Sequence, residues 1–214
     1  MAWSMRAPEH CGAWIWELEG YAPAGLENSL LVAEKVARVL DKWRLHTPHA
    51  LSFDWYAEEG GGTGFASRLA LKVPFADQDT VRRIHDARPV GLVGGAVGDI
   101  TVQGRGEWID SEGVPHSEVN LIELITSPDP TGLAIEISVA HDVWKPHDYY
   151  GRPHPELYRR NAPRLAAALE EIDGLFGVAG VPGEPTYFGV AEGYGIAEAD
   201  LDDAGFGPNL TDKM

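Results

Sequence analysis

Cysteine and long apolar runs are both scarce in this chain of 214 residues. Cys11 is its single cysteine, which excludes an intramolecular disulfide and a zinc site built from several cysteines. So low a cysteine content suits the reducing cytoplasm, and we expect a cytoplasmic protein. No run approaches the ~20 apolar residues of a membrane helix, and residues 1–13 hold no apolar stretch of signal-peptide length. We therefore expect no association with a membrane.

Basic residues are also scarce, most of all towards the C-terminus. The formal net charge is −16. Residues 1–100 contain ten Lys and Arg against thirteen Asp and Glu, whereas residues 101–214 contain seven against twenty. Residues 165–214 carry ten acidic side chains and one basic side chain, Lys213. Because this charge repels nucleic acid and attracts cationic surfaces, we expect a basic protein partner and no nucleic-acid binding.

Catalytic and nucleotide-binding motifs are missing as well. The glycines between residues 91 and 98 do not follow the G-x-G-x-x-G pattern, and the residues after them favour a strand over a helix. No serine lies in a G-x-S-x-G setting. The sequence therefore indicates no cofactor and favours a binding protein over an enzyme.

Two acidic residues, Glu123 and Glu136, each interrupt an apolar run. Paired carboxylates on neighbouring strands serve glycoside hydrolysis and metal binding, but sequence spacing does not fix their separation. A buried carboxylate at either position would have a raised pKa and would need a partner. The sequence leaves open whether the two side chains are buried.

Hydrophobic periodicity predicts an α+β fold. Its antiparallel-rich sheet is expected to be covered by two or three helices, and the order of elements in the first hundred residues permits a ferredoxin-like unit. We expect one domain over residues 1–214, with an acidic irregular C-terminal segment over about 178–214. The predicted helices are 28–44, 77–87 and 161–176, and the predicted strands are 13–19, 49–56, 69–73, 99–102, 107–110, 119–126 and 133–139.

The densest chemistry lies in residues 141–154, HDVWKPHDYYGRPH. Imidazole and carboxylate groups can bind a divalent metal, and an imidazole can act as a general base. The spacing matches no metal motif, and a proline-rich loop is a poor rigid cage. A metal-dependent hydrolase that uses this stretch is therefore the alternative to a binding protein. Its candidate ligands are His141, His147 and His154, with Asp142 and Asp148 beside them.

The same stretch has the composition of a binding surface. Trp144, Tyr149, Tyr150 and Arg152 are of the residue types that dominate the energy of protein interfaces. An exposed polar loop that carries them, next to an acidic tail, would suit a basic partner. The residues expected to contact that partner are Asp142, Trp144, Asp148, Tyr149, Tyr150, Glu192, Glu198, Asp200, Asp202 and Asp203.

At NAPRL (161–165) and PTYFG (185–189) the chain resembles small intracellular proteins of high-GC bacteria. Some of those proteins are encoded beside secreted toxins and act as immunity proteins. The resemblance implies that the chain binds one toxin domain stoichiometrically, through an acidic face that occludes a basic active site. A third possibility is a small-ligand domain with an apolar cavity lined by Trp14, Trp16 or Trp55.

Overall fold

The computed structural model describes residues 4–57, 61–128 and 132–214. Within these ranges the α-helices are α1 (Leu26–Lys42), α2 (Gln78–Asp86) and α3 (Pro155–Phe176). The strands are β1 (Gly12–Glu17), β2 (Thr47–Ala57), β3 (Gly61–Ala70), β4 (Ala96–Ile109), β5 (Pro115–Val119), β6 (Glu123–Ser127), β7 (Ala134–Val139), β8 (Val181–Pro182), β9 (Ala191–Glu192) and β10 (Gly195–Ile196). None of the described helices has the length and apolar character needed to cross a membrane.

Eight strands form one large sheet in the order β3-β2-β4-β6-β7-β1-β8, with β5 paired to β4. Every pairing in it is antiparallel, which confirms the predicted α+β class. The ferredoxin-like order is not adopted by the described strands. In that unit β1 would pair within the first four strands, whereas here it pairs with β7 and β8.

The sheet has one apolar face and one polar face, because side chains alternate along each strand. One row of cross-strand neighbours is buried beneath α1, and α2 and α3 pack beside that helix. This buried row comprises Leu51, Val102, Leu124, Ile137 and Trp14. The adjacent row points the other way and is partly exposed; it comprises Ser52, Thr101, Ile125, Glu136 and Ile15. We call this second side the open face.

The helix that ends the main fold differs from its predicted start. Asn161, the first residue of the predicted helix, is fully buried in the second turn, because α3 already begins at Pro155. Pro163 therefore lies in the helix interior and not in the first turn. Gly177, which directly follows the predicted end of this helix at residue 176, ends it in the left-handed conformation.

The C-terminal segment, residues 178–214, has little regular structure but is packed against the body of the protein. The indole of Trp14 donates to the Gly193 carbonyl oxygen at 2.7 Å. The Lys145 ammonium donates to the Phe188 carbonyl oxygen at 2.6 Å. Further along, the Leu210 N–H donates to the Tyr149 carbonyl oxygen at 2.8 Å. The segment is thus fixed to β1 and to the stretch that precedes α3.

Candidate functional site

The stretch 141–154 is largely internal, which corrects the expectation of an exposed loop. Asp142, Trp144 and Tyr149 are each at most 1% exposed, so they cannot contact a partner in this structure. The physical reason is that their side chains complete the core: residues 142–144 form a short 3₁₀ turn against α3, and the Tyr149 ring packs edge-on against Phe188. Tyr150 remains exposed.

The three histidines of this stretch do not converge. His141 shares a hydrogen bond with the Ser4 hydroxyl through Nδ1, at 3.1 Å. His147 and His154 use Nε2 to contact backbone carbonyl oxygens, of Gly205 at 3.2 Å and of Lys145 at 2.8 Å. Among the described residues no group of three or more His, Cys, Asp or Glu side chains could hold a metal ion. The convergence that the hydrolase alternative requires is therefore not found in these ranges.

A buried polar cluster lies where the N-terminal residues meet this stretch. Asp142 Oδ1 accepts hydrogen bonds from the Met5 N–H at 2.9 Å and the Ser4 hydroxyl at 3.3 Å. Burial raises the pKa of Asp142 to about 7 and lowers the pKa of His141 to about 4. Burial also raises the pKa of the Cys11 thiol to about 11, so the thiol is protonated at neutral pH and is a poor nucleophile.

Three loops in the described part of the chain share the pattern Asp-x-x-Gly, which hydrophobic periodicity does not reveal. In each, the aspartate Oδ1 accepts the N–H groups two and four residues later at 2.8–2.9 Å, and the glycine has a positive φ of 81–90°. The loops begin at Asp110, Asp148 and Asp202. Because Asp148 and Asp202 are engaged by their own loops, they are less available to a basic partner than predicted.

The remaining acids of the predicted interface are exposed on the C-terminal segment: Glu192, Glu198, Asp200 and Asp203. Large apolar side chains are exposed among them: Tyr187, Tyr194, Leu201 and Phe206, with Tyr187 at 73%. We call these eight residues, with Tyr150, the C-terminal surface. Ala197 and Ala199 line a small hollow together with residues 145–148, so the predicted loop and tail do lie side by side.

A second feature is a cleft of about 420 Å³ on the open face, between residues 6–10 and the paired strands β6 and β7. Its floor holds Glu123, Glu136 and Ser138. Glu136 is partly buried, and Glu123 is exposed. Burial raises the pKa of Glu136; His10 lowers it, and the carboxylates of Glu123 and Asp99 raise it further. We call this feature the acidic cleft.

The wall of the acidic cleft comes from residues whose role the sequence did not reveal. Ala7 and Cys11 donate their N–H groups to the Ala140 and Val139 carbonyl oxygens, at 2.9 and 2.7 Å. The intervening residues 8–10 bulge out over the open face and line the cleft. Thr186 holds this bulge, because its hydroxyl donates to the His10 carbonyl oxygen at 2.5 Å.

The three tryptophans proposed to line an apolar cavity are buried in the core instead. Trp14, Trp16 and Trp55 are each at most 1% exposed. Their indole N–H groups donate to the Gly193 carbonyl oxygen, the Asp173 carboxylate and the Ser67 hydroxyl.

Compared with known proteins, the chain matches no family model, no curated protein and no solved structure.

Proposed function

We propose that this chain is a binding protein for a basic protein partner, and that the C-terminal surface is the interface. One observation carries the proposal: exposed aromatic and acidic side chains are interspersed between residues 187 and 206, inside a stretch, 165–212, that contains no Lys or Arg. A solubilising acidic surface would not need exposed Tyr187, Tyr194 and Phe206.

The two residue types have separate roles in such an interface. Aromatic side chains bury a large area with few rotatable bonds, and they are enriched among the residues that dominate binding energy. Carboxylates around them attract a positively charged partner over a distance and raise the association rate. The C-terminal surface therefore offers aromatic side chains for direct contact and carboxylates for long-range attraction. Both fit a partner with a basic, partly apolar patch.

More specifically, we propose that the chain neutralises a toxin domain, as the resemblance at NAPRL and PTYFG implies. An acidic protein bound over a basic active site would block it by occlusion, without chemistry of its own. This form predicts one bound copy per toxin domain. It also predicts that co-expression of the chain restores growth to cells that produce the partner.

Capture from a lysate of the source organism tests the proposal with charge-matched variants. The first variant carries Glu192→Gln, Glu198→Gln, Asp200→Asn and Asp203→Asn. The control neutralises the same number of exposed acids elsewhere: Glu19→Gln, Glu27→Gln, Asp86→Asn and Glu112→Gln. We expect the wild type and the control to retain one basic protein stoichiometrically at low salt and to release it at high salt.

The first variant should retain at least tenfold less of that protein. Equal retention by both variants would exclude the C-terminal surface as the interface. The absence of any stoichiometric basic protein at low salt would contradict the proposed function itself. Neutralisation is tested next, by growth in the presence and absence of the captured partner.

A further inference from the structure

The acidic cleft is a cavity on the open face of the sheet, and its charges are unequal. Among the described residues that line it, Glu9, Glu123 and Glu136 are acidic, and Arg6 is the one lysine or arginine. The Arg6 guanidinium donates to the Val119 carbonyl oxygen at 3.4 Å. The floor of the cleft is therefore negative, and its volume of about 420 Å³ has room for the end of a long side chain.

The strand register fixes how the two floor carboxylates are arranged. Glu123 is the cross-strand partner of Ser138, and Ile125 is the partner of Glu136. Glu123 and Glu136 are thus diagonal neighbours on the same face, with their backbone positions roughly 7–8 Å apart. A planar guanidinium has five N–H donors and can bind two carboxylates on the same face of a sheet at once, whereas an ammonium offers a single point charge.

The cleft adjoins the C-terminal surface. Thr186 lines the cleft, and the next residue, Tyr187, belongs to that surface and is 73% exposed. The His10 imidazole, which also lines the cleft, contacts the Glu184 carbonyl oxygen at 3.0 Å. A partner seated on the C-terminal surface therefore has the cleft within reach of one side chain.

We propose that the acidic cleft receives an arginine side chain of the basic partner, with its guanidinium between Glu123 and Glu136. This inference rests on the proposed function, since it assumes a basic partner. Charge-assisted hydrogen bonds are among the stronger polar contacts, so the cleft would add specificity for arginine to the broader charge attraction.

The isolated protein can be tested with L-arginine amide, followed by amide shifts in two-dimensional NMR. We expect saturable binding in the millimolar range, with shifts confined to residues around the cleft. The double variant Glu123→Gln/Glu136→Gln should weaken binding at least fivefold. Arg6→Gln should strengthen it about twofold or more, because the repelling guanidinium is removed. L-lysine amide should bind the wild type several-fold more weakly.

Two further variants keep the test decisive. Glu27→Gln/Glu112→Gln removes the same charge outside the cleft and should leave the affinity unchanged. His10→Arg places a guanidinium on the cleft wall and should abolish binding even if the double variant folds poorly. Shifts that do not saturate, or that survive both cleft variants, would overturn the inference. If the wild type captures a partner but does not bind L-arginine amide, the proposed role of the cleft is wrong, whereas the proposed function is still supported.

Discussion

The Asp142 carboxyl is a buried group whose ionisation changes the stability of the fold near neutral pH. Its pKa is about 7 in the folded chain, above the ordinary value of 3.8. The fold therefore favours the protonated form, and this group's contribution to stability falls as the pH rises from about 4 to about 7. Asp142→Asn keeps the acceptor for the Met5 N–H and imitates the protonated acid.

We expect Asp142→Asn to be more stable than the wild type at pH 8, by up to a few kcal/mol. The advantage should disappear near pH 4. Urea unfolding at a series of pH values measures it. The buried imidazoles of His46 and His141 each have a pKa of about 4, so their contribution to the stability of the fold is lost as the pH falls below 6.5. For this reason the variant is compared with the wild type at each pH. A variant equal to the wild type at pH 8 would show that Asp142 ionises freely.

Asn161 is the side chain whose removal should cost most among the polar residues of α3. Its Oδ1 accepts the Ile109 N–H at 2.8 Å, and its Nδ2 donates to the carbonyl oxygens of Ile109 and Leu157 at 2.7 and 2.8 Å. Asn161→Ala leaves those backbone groups without this partner, at a cost of roughly 2–4 kcal/mol. Denaturant unfolding measures it, with exposed Arg160→Ala as the control; a loss below 0.5 kcal/mol would contradict this role.

Single residues show where sequence reasoning reaches its limit. Asn161 matches a helix cap by composition, but its partner, Ile109, is 52 positions away and invisible to local patterns. The spacing of Glu34 and Arg38 is typical of an exposed ion pair on a helix, and the two side chains do pair. The Glu34 carboxylate is nevertheless buried, because it also accepts the N–H groups of Phe75 and Ala76. In both cases a long-range backbone group decides the role of a polar side chain.

Among the elements, the attachment of the C-terminal segment to α3 depends on Asp173. One carboxylate oxygen accepts the Trp16 indole N–H at 2.7 Å and the Gly180 N–H at 2.9 Å. The other accepts the Tyr194 hydroxyl at 2.8 Å. A single side chain thus joins α3 to β1 and to the segment that carries the C-terminal surface.

Asp173→Ala should cost roughly 1–3 kcal/mol, because the buried Trp16 indole loses its acceptor. It should also speed amide exchange in residues 180–196 more than in α1. Hydrogen exchange read by mass spectrometry measures both regions in one sample. Glu170→Ala removes an exposed acid from the same helix and should change neither. Uniform faster exchange throughout the chain would argue against a local anchor.

Regular elements with clear periodicity were predictable from the sequence, and the C-terminal segment was not. The apolar stripe of α1 and the alternation in β1 and β2 are local, and the structure confirms those elements. Two predicted strands, 99–102 and 107–110, prove to be parts of the single long strand β4. The packing of the C-terminal segment depends on separate contacts to Trp14, Lys145 and Tyr149, which no short pattern encodes.

Across the whole molecule, strand order and charge distribution set what the protein can bind. The first strand pairs with β7 across more than a hundred residues, so the composition of the open face depends on non-local pairing. The acidic cleft on that face was foreseen only as two unusual residues, Glu123 and Glu136. The charge asymmetry, by contrast, was fully visible in the sequence, and the structure adds the exposed aromatic side chains that accompany it.

Hydrogen exchange of the chain with and without its captured partner is the measurement to make first. If the C-terminal surface is the interface, the partner should slow exchange several-fold in residues 187–206 and in the loop at Tyr150. Exchange in the exposed helix α2 should stay unchanged. Protection confined to another region, such as the edge strand β3, with residues 187–206 exchanging as in the free chain, would contradict the proposed interface.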